Sequence, residues 1–140
     1  MAGTSCKISL CSRQRMGGDE EISEESYLGS FIERGDKKYL SYKRTTEDGV
    51  IDCLISFNRR EFTLTQKGSL SSKIELRAGE KTVNKYSTSV GALSIEIFTR
   101  RYELIEQKDD IRIGIEYDII TGADSIQTTM DIKVKIKGEA

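Results

Sequence analysis

From Ile111 to Ile136 the chain changes character at almost every step. Ile111, Ile113, Ile115, Tyr117 and Ile119 share one parity, and Ile126, Thr128, Met130, Ile132, Val134 and Ile136 repeat the pattern after Thr121-Gly122-Ala123-Asp124. Successive side chains of an extended strand point to opposite faces, so this period of two gives segments with one apolar and one polar face. Wound into a helix, the same isoleucines would be scattered around the axis. The pattern recurs at Gly91, where a run containing Tyr86 and Thr88 meets one containing Leu93, Ile95, Ile97 and Thr99. Glycine lacks a Cβ and turns the backbone there at low steric cost.

The rest of the chain follows the same rule. Ser5 to Arg13 alternates Cys6, Ile8 and Leu10 with polar residues and reads as a first strand. Residues 16–25, with Gly17-Gly18 and the acids Asp19, Glu20, Glu21, Glu24 and Glu25, read as an acidic flexible loop. Tyr27 to Glu33 is assigned to a strand, turned at Gly35-Asp36 into a partner over Lys38 to Lys43. Asp48-Gly49 is a hairpin signal ahead of Val50 to Phe57. Strands over Glu61 to Gln66 and Ser69 to Arg77 follow, separated by a turn at Lys67-Gly68, and Arg100 to Lys108 reads as a short strand of its own. Proline is absent, which leaves every backbone N–H available to a ladder. Such closely spaced turn signals with almost no helical pattern predict an all-β fold: residues 1–140 form a single antiparallel barrel of about eight to ten strands. Closure would remove the aggregation-prone edges that these apolar-faced strands otherwise present.

Composition narrows the chemistry. Histidine is absent, which removes the commonest general base and the usual nitrogen ligand of zinc. The three cysteines, Cys6, Cys11 and Cys53, include no C-x-x-C pair, and Cys6 and Cys11 fall on opposite strand faces. Cys53 alternates with Ile51, Ile55 and Phe57 and reads as a small core residue. No metal site or cofactor is expected. The net charge of −1 supplies no basic footprint, so nucleic acid is not the expected partner despite the Lys133, Lys135, Lys137 stripe and the pairs Arg59-Arg60 and Arg100-Arg101. No apolar run approaches the ~20 residues of a membrane span. The N-terminal residues carry no apolar signal core, and the expected location is the cytoplasm, as a monomer or homodimer.

Three short motifs, Tyr39-Leu40-Ser41-Tyr42, Tyr86-Ser-Thr88-Ser-Val-Gly91 and Ile115-Glu-Tyr117, occur in an order and spacing that resembles the uncharacterised YwiB-like β-barrel proteins of bacteria. The resemblance covers most of the chain and implies a calycin-like, lipocalin-like barrel. It implies no activity and no catalytic residues. Where that family often carries an arginine two residues before the glycine of Lys67-Gly68, this chain has Gln66. The sequence departs from secreted lipocalins in having no tryptophan, and from fatty-acid-binding proteins in having no helical pattern for a lid.

Glu116 and Asp118 share a strand face opposite the isoleucines, where solvated carboxylates are the ordinary case. More informative are polar residues on mainly apolar faces: Tyr42, Tyr86, Thr88, Thr99, Tyr117 and Thr128. Hydroxyls in such positions either bond to one another within a packed core or orient a ligand in an apolar pocket. The leading expectation is non-catalytic binding of a small, largely apolar molecule inside the barrel, with those six residues as its contacts. The second is a packed-core interaction module whose outer surface binds a protein or RNA partner. An enzyme ranks third, given the missing histidines.

Overall fold

The computed structural model describes residues 3–88, 91–122 and 124–137. They form ten strands: β1 (Thr4–Met16), β2 (Asp19–Arg34), β3 (Lys37–Thr46), β4 (Gly49–Phe57), β5 (Glu61–Gly68), β6 (Ser71–Arg77), β7 (Lys81–Thr88), β8 (Gly91–Glu106), β9 (Asp110–Thr121) and β10 (Asp124–Ile136). Each pairs antiparallel with its neighbour in sequence, and β1 pairs with β10, so the meander closes into a barrel. The register at closure sets Ile8 opposite Val134 and Leu10 opposite Ile132, which keeps one apolar parity continuous around the seam.

Inward residues follow the period of two. Ile51, Cys53, Ile55 and Phe57 are buried along β4, and Ile111, Ile113, Ile115 and Tyr117 along β9. The last residues of β1, β3, β5, β7 and β9 lie at one end of the barrel, here called the mouth. The last residues of β2, β4, β6 and β8, the first of β1 and the last of β10 lie at the floor. The floor is apolar and filled by Phe57, Phe62 and Leu76. Tyr102 on β8 helps to shut it, since its hydroxyl donates to the carbonyl of Asn58, at 2.6 Å, in the β4–β5 turn three strands away.

Three expectations need correction. Residues 16–25 are not a flexible loop. Gly17 and Gly18 take φ of 58° and 100° and form a tight two-residue turn, and β2 starts immediately at Asp19. The acids misled because this hairpin runs on past the barrel wall, where neither face of β2 needs to be apolar. Across it Arg15 stands opposite Glu20, and both Arg13 and Arg15 reach that carboxylate, at 3.4 and 3.3 Å. Lys67-Gly68 is not a turn but the end of β5, paired with Ile51 and Asp52, and the chain reverses at residues 69–70. Arg100 to Lys108 is not a separate strand. It continues β8 through a bulge at Arg100, where the register steps from Thr99↔Tyr117 to Arg101↔Glu116. The extra residue flips the parity, so Thr99 and Tyr102 both face inward.

Candidate functional site

Between the filled floor and the mouth the side chains no longer meet across the lumen. A hollow of about 160 Å³ remains. Its apolar lining comes from Leu10, Ile55, Phe62, Leu64, Met130 and Ile132. Its polar lining comes from Ser12, Ser23, Glu25, Tyr42, Arg44 and Gln66. Alternation accounts for each position: Arg44 stands two residues beyond Tyr42 on β3, Gln66 two beyond Leu64 on β5, and Glu25 opposite Leu10 across the β1–β2 ladder.

A hydrogen-bonded row runs along one wall. Ser72 donates to Gln66 Oε1 at 2.9 Å, and Gln66 Nε2 lies 3.8 Å from Cys53 Sγ. Beside it Tyr27 and Tyr42 stack with ring centroids 4.8 Å apart. The Tyr27 hydroxyl donates to Glu25 at 2.7 Å and accepts a hydrogen bond from Arg44. This pairing of β2 with β3 depends on Gly29, since a Cβ there would run into the Ser41 carbonyl oxygen and the Tyr42 side chain.

The electrostatics favour donors over nucleophiles. Burial, with smaller contributions from Cys53, pushes the Tyr42 phenol far above its ordinary value. Burial also raises Tyr86, and it pushes Tyr117 up to about 12. The Cys53 thiol is raised by burial as well, so it stays protonated and unreactive near neutrality. Burial works against the Arg44 charge, but the Glu25 carboxylate and the Tyr27 hydrogen bond outweigh it and leave the guanidinium more basic than usual. Near neutral pH the lumen thus offers phenol, amide and guanidinium donors, with Glu25 as an ionisable acceptor on its lining.

The six residues singled out in the sequence fall into two groups. Tyr42 lines the hollow directly. Thr99, Tyr117 and Thr128 form a row across β8, β9 and β10, buried in the wall. Neither Thr99 Oγ1 nor Thr128 Oγ1, at 0% and 1% residue exposure, has a hydrogen-bond partner within bonding geometry among the described residues. Tyr86 is half-buried on β7 within electrostatic reach of both Arg44 and Tyr117. The side chain of Thr88 lies outside what is described. Sequence reasoning missed Arg44, Gln66, Glu25 and Tyr27. For Arg44 and Gln66 the signal was present, because each shares its strand's inward parity.

On the outer face Glu116 and Asp118 are taken up by the arginines of the bulge. Arg100 Nε stands 3.1 Å from Asp118, Arg100 Nη1 3.3 Å from Glu116, and Arg101 Nε 2.7 Å from Glu116. Paired with cations and turned away from the lumen, these carboxylates have no part in the interior site.

A closed ten-strand antiparallel barrel with a small polar-rimmed hollow defines the class of this molecule. Residues 8–136 match the family described as a domain of unknown function, DUF1934, and the chain belongs to that family. It is 25% identical over 105 residues to the uncharacterised β-barrel protein YwiB of Bacillus subtilis (strain 168), covering 75% of this chain and 74% of that protein. The crystal structure of B. subtilis YwiB has the same fold, with a TM-score of 0.88 at 22% identity over 96% of this chain and 93% of the other.

Proposed function

We propose that this protein binds, without catalysis, a small and largely apolar ligand in the hollow of its barrel. One observation carries the reading: the lumen is filled at the floor but retains about 160 Å³ beneath the mouth, with apolar walls and a few convergent polar groups. Sites for drug-sized ligands run to about 300 Å³ or more, whereas a cavity of roughly 150 Å³ holds one benzene molecule. The ligand is therefore a compact body of about benzene size and not a long chain. The protonated phenols and thiol argue for binding over chemistry, because no activated nucleophile is found among the described residues of the lining.

Native mass spectrometry of freshly purified protein, with parallel denaturing extraction, tests this directly. The expected result is a co-purifying small apolar molecule that is lost from Ile132→Phe, where the larger ring fills the hollow. A clean apo mass, together with no thermal shift against a panel of small aromatic and branched aliphatic compounds, would overturn it.

A second reading, an interaction module working through its outer surface, draws support from a different feature. A broad outer hollow of about 710 Å³ is bordered by Leu28, Leu54, Lys43, Asp52 and Lys67, and Leu28 is 77% exposed. The overturning result above would direct attention to that face.

A further inference from the structure

The polar groups of the hollow include one guanidinium, Arg44, and one carboxylate, Glu25, which are not in direct ion-pair contact. Arg44 projects from the inward row of β3, with Leu40 and Tyr42 below it. A guanidinium brings five N–H donors in a fixed fork. Its neighbours within the barrel are Glu25, Tyr27, Tyr42, Tyr86 and Cys53, of which Tyr27 accepts a hydrogen bond from it. Ion pairs elsewhere on this barrel are made at 2.5–3.7 Å, as for Lys38 with Glu106 and Lys43 with Asp52. Arg44 forms none within 4.0 Å among the described residues. The carboxylate that influences it, Glu25, is hydrogen-bonded to the intervening Tyr27 hydroxyl.

We propose that the ligand of the hollow is a small monocarboxylate, its carboxylate held by Arg44 and its apolar body seated against Leu10, Ile55, Leu64, Met130 and Ile132. This rests on the reading of the hollow as a binding site and specifies the chemistry of its occupant. Arg44 and Met130 line the same cavity, so one molecule of benzoate size spans the polar rim and the apolar base. Guanidinium and carboxylate match in plane and spacing, and a bidentate pair is both stronger and more directional than a neutral hydrogen bond. The Tyr42 hydroxyl, fixed as a donor, is a second contact for the anion. Glu25 sets the charge limit: its carboxylate on the same lining repels a second negative charge, which favours a monoanion over a phosphate dianion.

Heteronuclear NMR titration of the full chain with sodium benzoate, benzyl alcohol and phenyl phosphate tests the proposal. These probes share a ring and differ in headgroup charge. The expected result is shifts at Leu64, Met130 and Ile132 with benzoate, and at least tenfold weaker binding of benzyl alcohol and phenyl phosphate. Arg44→Gln should lose the preference for benzoate while still admitting benzyl alcohol. Arg44→Lys, which keeps the charge and guards against a folding defect in Arg44→Gln, should bind benzoate several-fold more weakly than the native chain but still prefer it to the alcohol. Equal binding of benzoate and benzyl alcohol, unaffected by either variant, would overturn the carboxylate while leaving the hollow as a binding site. Tighter binding of phenyl phosphate would overturn the monoanion. No shift at the hollow with any of the three would remove the binding site itself.

Discussion

Thr99 and Thr128 flank Tyr117; the Thr128 hydroxyl interacts with the Tyr117 phenol, whereas the buried Thr99 hydroxyl finds no partner among the described residues. Leaving such a group unbonded costs about 1–3 kcal/mol, whereas an apolar group of the same shape is neutral or stabilising. Thr99→Val exchanges the hydroxyl for a methyl with little change in volume. Chemical denaturation is expected to show unchanged stability or a gain of up to about 1 kcal/mol. A loss of more than about 1 kcal/mol would mean that the hydroxyl is bonded in solution. At this scale the parity rule located Tyr42, Tyr86, Thr99, Tyr117 and Thr128 but not Tyr27, Thr82 or Tyr102, which also face inward. It passed over Arg44 and Gln66 because polar residues on strands were assigned to solvent by type rather than by position. Glu25 was out of reach, since its facing depends on where the Gly17-Gly18 turn sets the register of β2.

Among the strands, the β6–β7 seam departs most from a plain ladder. Its paired register spans Ser71↔Ser87 to Lys73↔Lys85, and nearer the floor side chains take over. Asn84 Oδ1 accepts from the backbone N–H of Glu75 at 2.7 Å, and Thr82 Oγ1 donates to the Glu75 carbonyl at 2.6 Å. Asn84 is also tied to Thr82 through its amide nitrogen, so the two inward side chains form one clasp. Asn84→Ala removes the acceptor and leaves a partly buried N–H unbonded, for an expected loss of about 1–3 kcal/mol in urea denaturation. A change below about 0.5 kcal/mol, the usual size for a surface substitution, would show that the seam does not depend on this clasp. Strand positions were legible wherever alternation was continuous, as in β4, β9 and β10. They were misread where a local device interrupted it: the bulge at Arg100 split β8 in the reading, and charge on both faces concealed the start of β2. Leu93 keeps the inward parity of β8 but is 62% exposed, because it stands near the barrel mouth, two residues from the start of the strand.

The whole molecule joins these parts into a barrel that is full at one end and open in its chemistry at the other. All-β class, antiparallel meander and closure followed from period and turn spacing, because each strand must bury one face and the closed order gives every strand two neighbours. The hollow did not follow, since alternation fixes which way a side chain points but not how far opposing side chains reach. Its volume depends on Phe57 and Phe62 filling the floor while Leu10, Leu64 and Met130 stop short of one another nearer the mouth. Xenon settles against apolar walls in cavities of this size and marks them with strong scattering, so it reports on the apolar half of the hollow. Crystals of the protein pressurised with xenon are therefore the most direct measurement. The expected result is one ordered xenon site bounded by Leu10, Ile55, Leu64, Met130 and Ile132. Those side chains packed in mutual contact, with no xenon between them, would contradict a hollow lumen and the binding function built on it.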